Sequence, residues 1–173
     1  MPTFTQIGSA VVIGSGGSPS FSFTAIPSTY TDLCIKMSLR SERADNGDAV
    51  SMTFNNSTSG YSWRRLYGAG TSVASDNGSG AYIVASRINA DLNTANTFAN
   101  VEVYIPNYAG STQKSVSIDG VYENNATTNA WQQMIAGLWT GTAAITSVKF
   151  ELDPTFLEYA QYSTAYLYGV SNA

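Results

Sequence analysis

Histidine is missing from this 173-residue chain, cysteine occurs once, and lysine and arginine together number eight. Without an imidazole, the Ser-His-Asp and Cys-His arrangements of nucleophilic catalysis are excluded, and so are the common zinc sites. Cys34 has no partner for an intrachain disulfide and no histidine to take its proton. It is expected to be a buried or half-buried structural thiol. Positive charge is just as scarce: Arg64-Arg65 is the largest cluster, and the formal net charge is -4. Recognition of a phosphate backbone needs a basic stripe, so no nucleic-acid partner is expected. No apolar run approaches the roughly 20 residues that span a bilayer, and no membrane partner is expected.

Other absences narrow the chemistry further. Met1-Pro2-Thr3-Phe4-Thr5-Gln6 has no basic region, and Ile7 to Ile13 is too short and glycine-interrupted to act as a secretion signal. Synthesis in a cytoplasm is the expectation. Gly14-Ser15-Gly16-Gly17 lacks the lysine and the following helix of a phosphate-cradling loop and reads as a spacer, so no cofactor is expected. Glu42, Asp45 and Asp48 share a polar loop, but their spacing is not that of a calcium loop, and a solvated turn is the simpler reading. Glycoside hydrolysis needs only two carboxylates. Asp119 with Glu123, and Glu151 with Asp153, are merely near in sequence, with nothing to keep one of each pair protonated. A non-enzymatic protein is expected.

What the chain does contain is alternation. Charged residues make up 12%, about half the usual roughly 25%, so the surface must be built from Ser, Thr, Asn, Gly and Tyr. From Leu33 onward, Leu33, Ile35, Met37 and Leu39 lie on one side and Asp32, Cys34, Lys36, Ser38 and Arg40 on the other, which predicts a long strand with one buried and one wet face. Val50, Met52 and Phe54 alternate next, after an Asn46-Gly47 turn signal, and the two segments are expected to form a hairpin. Further strands are predicted at Phe21–Ala25, Tyr61–Gly68, Tyr82–Ile88, Phe98–Pro106, around Val116 and Ile118, around Val148 to Leu152, and at Thr164–Val170. Ala130–Trp139 admits a helix, but Gly137 and two tryptophans favour a strand.

Gly70 to Gly80 has no period of its own and reads as a polar contact loop, the segment expected to be most mobile. Polar turns are expected over 124–129 and at Asp153-Pro154, with a helical turn or loop from Thr155 to Gln161. About ten short strands separated by Gly, Asn, Ser and Pro clusters predict an all-β antiparallel sandwich of jelly-roll type. Residues 1–19 read as an N-terminal strand or arm with a Gly-Ser linker, and 20–173 as the sandwich domain.

Exposed aromatics are the candidate contact residues. Tyr61, Trp63 and Tyr67 share one side of a strand, and Tyr104 and Tyr108 complete the set. Large amphipathic rings with few rotamers suit a subunit interface; they also suit a glycan-stacking platform. Trp131 and Trp139 admit the same readings, with core packing the expectation for at least one of the tryptophans.

Four short patterns carry a family resemblance: Ile26-Pro27-Ser28-Thr29-Tyr30-Thr31-Asp32-Leu33, then Ser38-Leu39-Arg40-Ser41, then Val50 to Asn55, and the ending Ala165-Tyr166-Leu167-Tyr168-Gly169-Val170. Together they resemble a module of tailed-bacteriophage virion proteins, in which an IP-x-x-Y-T-D-L opening, an S-x-R exit, an F-N strand and a C-terminal LYG strand recur. The module stands nearly alone here, without a long fibrous shaft, which favours a small subunit attached directly to a particle. The resemblance implies a non-enzymatic virion structural protein, made in a host cytoplasm and decorating or cementing the capsid as a homo-oligomer. Its partners would be other copies of itself and phage capsid or tail proteins. The alternative it implies is a receptor-binding tail-fibre or head-fibre domain that contacts a host surface glycan.

Overall fold

The computed structural model describes residues 1–124, 130–152 and 158–171. Among them thirteen strands form, in chain order β1 (Thr3–Gln6), β2 (Val11–Val12), β3 (Ser20–Phe23), β4 (Asp32–Leu39), β5 (Asp48–Phe54), β6 (Tyr61–Ala69), β7 (Ser72–Gly80), β8 (Ile83–Ile88), β9 (Ala99–Ile105), β10 (Lys114–Tyr122), β11 (Trp131–Trp139), β12 (Val148–Leu152) and β13 (Thr164–Ser171). A nine-stranded sheet runs β1-β13-β4-β9-β10-β11-β6-β7, with β2 also on β13, and a four-stranded sheet runs β3-β12-β5-β8. All strand pairs are antiparallel. The chain changes sheet repeatedly, giving the antiparallel, jelly-roll type of sandwich that alternation predicts. The count exceeds ten because the first segment splits into β1 and β2 and because Ser72–Gly80 is a strand.

The core fills the space between the inner faces. Leu33, Ile35, Met37 and Leu39 of β4 meet Val101, Val103 and Ile105 of β9 on one side, with Val50, Met52, Phe54, Val148, Phe150 and Leu152 opposing them from the small sheet. Ala130–Trp139 resolves to strand: β11 alternates Gln133, Ile135, Gly137 and Trp139 inward. Residues 125–129 of the expected turn, the Asp153-Pro154 stop and residues 155–157 lie outside the described residues, and 158–161, the rest of the expected helical turn or loop, are not helical, with Tyr159 bridging Ser18 and Ser41.

Three expectations are corrected. β4 and β5 are not a hairpin: β4 pairs with β13 and β9, and β5 pairs with β12 and β8 in the other sheet. The loop between them crosses the sandwich instead of folding back. Ser41 Oγ donates to Asp48 Oδ2 at 2.7 Å and Arg43 holds Asp48 Oδ1 at 3.2 Å, which ties down the crossing. Gly70–Gly80 is not a loop but the edge strand β7 and its hairpin turn. It shows no apolar period because both of its faces lie outside the core. The wet side of β4 is also drier than expected, since Asp32, Cys34 and Arg40 are buried.

Register explains each exception. Cys34 stands directly opposite Tyr168 on β13 and Tyr104 on β9, so tyrosines cover it from both sides. Asp32 accepts from the Tyr104 hydroxyl at 2.6 Å and from the Asn107 amide at 2.8 Å. Arg40 leaves the far end of β4 and donates to four backbone carbonyls, those of Thr94 and Thr97 at 3.0 Å and those of Asp91 and Asn93 at 3.3 Å. At the other end of the sheet buried Lys114 donates to the carbonyls of Gly110, at 2.6 Å, and of Thr112 and Thr142. Burial lowers the pKa of that amine. Neither cation has a carboxylate partner among the described residues. Each gathers several loop carbonyls onto one buried side chain.

Two predictions follow from these environments. Arg40→Met removes the guanidinium from all four carbonyls, of which Thr94 keeps its bonds from Thr97, and is expected to lower stability by on the order of 3 kcal/mol, while Arg40→Lys recovers part of that; a urea midpoint equal to wild type for Arg40→Met would refute the clamp. Burial, then the Glu102 carboxylate, push the Cys34 thiol up to about 11 from its ordinary 9.0. The unfolded thiol ionises first as pH rises, so this contribution to stability is intact at neutral pH and is lost between about pH 9 and 11. A thiol-directed disulfide reagent at pH 8 should leave the native protein unmodified and react stoichiometrically in urea. Prompt modification of the native protein would contradict the burial.

Candidate functional site

The large sheet is wider than the small one, and its outer face has no second layer among the described residues. Register places the outward residues in rows. Tyr166, Lys36, Glu102, Asp119, Met134, Leu66 and Ser75 stand directly opposite one another across seven strands from β13 to β7. The next row is Tyr168, Cys34, Tyr104, Ser117, Ala136, Arg64 and Asn77. At about 4.8 Å per strand the rows extend roughly 30 Å.

These two rows carry two cations, Lys36 and Arg64, two carboxylates, Glu102 and Asp119, and three tyrosines among smaller residues. The apolar centre of the face is the directly opposed pair Leu66 and Met134, 53% and 59% exposed. Lys36 pairs with Glu102 at 2.7 Å, and Arg64 is exposed with no ion-pair partner among the described residues. A depression of about 460 Å³ lies beside Arg64, bordered by Ser62, Asn77, Ser79 and Leu138. A smaller one of about 290 Å³ lies between Lys36, Ser38, Asn100, Thr164 and Tyr166.

The expected aromatic set divides between the two faces. Tyr61, Trp63 and Tyr67 do share one side of β6, but it is the inner side. Tyr61 is 2% exposed; its hydroxyl accepts from the Phe54 amide at 2.8 Å and donates to the Phe54 carbonyl at 3.2 Å, closing the β5–β6 connection. Tyr108 is wholly buried, donates to the Pro27 carbonyl and accepts from the Tyr30 amide at 3.4 Å. Both belong to the core and are withdrawn from the contact set, because their hydroxyls satisfy backbone groups inside the fold. Burial pushes both phenols up.

Trp63 and Tyr67 are half-buried where β6 and β7 project past β8. There the Tyr67 and Trp131 rings stack at 4.4 Å and 7°, and the Arg65 guanidinium lies 5.0 Å from the Tyr67 ring centre and 5.5 Å from that of Trp131. Arg87 of β8 adds a cation 5.0 Å from the Trp131 ring centre. Trp63 lies against Gly78, where an added Cβ would come within 2.8 Å of the indole. The cluster closes the open side of the sandwich with cation–π contacts rather than presenting free ring faces. Trp139, 6% exposed, is core, stacked 6.2 Å from Tyr61.

Tyr104 alone of the five lies on the outer face, half-buried, with its hydroxyl committed to Asp32. That hydrogen bond, with burial, pushes the phenol up to about 12. The outward residues that the aromatic criterion missed are Arg64, Leu66, Met134, Tyr166 and Tyr168. For Arg64 and Leu66 the signal was present: they occupy the alternate positions of β6, which turn outward once the aromatic side is recognised as core.

Glu102 and Asp119 stand directly opposite one another on β9 and β10. Glu102 keeps 46% of its side chain exposed and is held by Lys36, and Asp119 is exposed. A carboxyl that retains its proton for acid catalysis needs an apolar enclosure, which neither has.

No family model matches the chain, and no curated protein does. Among solved structures, galectin LEC-6 of Caenorhabditis elegans is similar over 99% of this chain and 96% of that one, at 13% identity and a TM-score of 0.27. A likeness at that score carries no argument about ligand or function.

Proposed function

We propose that this chain is a non-enzymatic structural subunit of a tailed-bacteriophage particle, decorating or cementing the capsid in several copies and seated through the outer face of the nine-stranded sheet. Its place is then the virion, after synthesis in the host cytoplasm. The resemblance of the four sequence patterns supports the particle. The observation that carries the seating is the exposed Leu66–Met134 pair at the centre of a broad sheet face on which two cations, Lys36 and Arg64, balance two carboxylates, Glu102 and Asp119. Methionine and large apolar side chains are what interface centres use, and a rim of Ser, Thr and Asn suits the periphery. Completing the burial of these two half-exposed side chains is worth roughly 2–3 kcal/mol, one to two orders of magnitude in occupancy.

A second reading has one observation in its favour. The depression beside Arg64 offers a guanidinium without an ion-pair partner, the Asn77 amide directly across from it, and the Ser62 and Ser79 hydroxyls. Such convergent donors and acceptors suit a host surface glycan. Glycan-array binding lost on Arg64→Ala would favour this alternative.

For the decoration reading, particles lacking the protein are mixed with purified wild type or with the Leu66→Glu, Met134→Glu double variant. Wild type should restore surface density in electron micrographs, and the variant should occupy the particle at least tenfold less while keeping its circular dichroism. Capsid density and particle stability unchanged by loss of the protein would remove the proposal.

A further inference from the structure

β7 ends the nine-stranded sheet. Among the described residues its one ladder is to β6, running without a bulge from Tyr61↔Gly80 to Ala69↔Ser72. Gly70 and Thr71 form the two-residue turn between them. The pair closing such a turn is hydrogen-bonded, so Ser72, Ala74, Asp76, Gly78 and Gly80 direct their backbone groups at β6. Val73, Ser75, Asn77 and Ser79 therefore direct four N–H and four C=O groups away from the sheet, and all four residues are exposed.

Edges of this kind are normally blocked by lysine, proline, a bulge or an inward charge. Ser72–Gly80 contains no lysine, arginine or proline. Its one charge, Asp76, is taken by Arg65, whose Nε donates to Oδ1 at 2.9 Å. What remains is a bulge-free, charge-compensated, nine-residue strand whose outward donors and acceptors have no ladder partner among the described residues.

We propose that β7 docks on β7 of a second copy, antiparallel across a two-fold axis, so that the two large sheets continue as one. The strand is complementary to itself. In a register centred on Ser75, Val73 of one copy faces Asn77 of the other and Asp76 faces Ala74, so the two carboxylates are not opposed. The opposite edge of the sheet is a poor match for β7. There β1 has four residues and β2 two, separated by Gly8 with a φ of 67°.

Pairing at Ser75 has a further consequence on the outer face. Ser75 ends the row that holds Met134 and Leu66, so the axis joins two such rows end to end and doubles the apolar centre offered to a particle. The inference deepens the homo-oligomer part of the proposed function and rests on it.

The test uses the full chain in sedimentation velocity at micromolar concentrations. Ser75→Pro removes an outward N–H and no bond of the β6–β7 ladder, and Asn77→Lys puts a charge on the edge without touching the backbone. Wild type is expected to be a dimer, with each variant dissociating at least tenfold more readily and retaining its circular dichroism. Asn77→Lys remains decisive if Ser75→Pro fails to fold. A monomeric wild type overturns the proposal, as do variants as dimeric as wild type, or a dimer lost instead on deleting residues 1–8. Particle occupancy is scored separately: monomers that still coat particles sink only the edge pairing, and dimers that never bind them sink only the decoration.

Discussion

Two sheets of unequal width must share one core, and most of the molecule's other features follow from that mismatch. Four strands can cover only the middle of nine. Where they overlap, alternate residues of β4, β9, β10 and β11 are apolar and buried. Where they do not, the inner face needs another cover. The Tyr67–Trp131 stack with Arg65 and Arg87 supplies it beside β8, at the cost of making aromatic rings structural that would otherwise be free for contact. The outer face of the large sheet has no second layer among the described residues, and it carries polar, charged and tyrosine side chains around the Leu66–Met134 pair.

The patterns that resemble phage virion proteins have a physical role in this fold. Tyr30 packs on Gly169, where an added Cβ would lie 2.2 Å from its ring, so the Tyr of the opening and the Gly of the C-terminal pattern meet directly. Asp32 takes the Tyr104 hydroxyl and the Asn107 amide, Pro27 gives its carbonyl to Tyr108, and Arg40 clamps the loop from Asp91 to Thr97. These residues lock both ends of β4 to its neighbours. They are determinants of folding.

Much of the fold was legible because strands buried on one face write a period of two. β4, β5, β9, β10, β12 and β13 stood out in this way, and the sandwich followed from their number and spacing. β7 was illegible for the same reason: a strand outside the core has no face to keep apolar, so Ser72–Gly80 carried only loop-like composition. The β4–β5 hairpin was misjudged because a polar Asn-Gly turn looks the same whether the chain folds back or crosses to the other sheet. What distinguishes the two cases is the partner of each strand, a long-range fact. Cys34, Asp32 and Arg40 defied the wet-face expectation because their cover comes from residues more than 50 positions away, such as Thr94 and Tyr104.

By itself the sequence determined an antiparallel β-sandwich, a thiol with no histidine to activate it and a surface of low charge, because periodicity and composition are local properties. Only the tertiary structure decided that Tyr61 and Tyr108 are core, that Trp63 and Tyr67 seal an open side, and that Leu66, Met134 and Arg64 face outward. Alternation assigns residues to two sides of a strand but never says which side meets the second sheet. That choice belongs to the packing of one sheet on the other, and it fixes which residues remain for a partner.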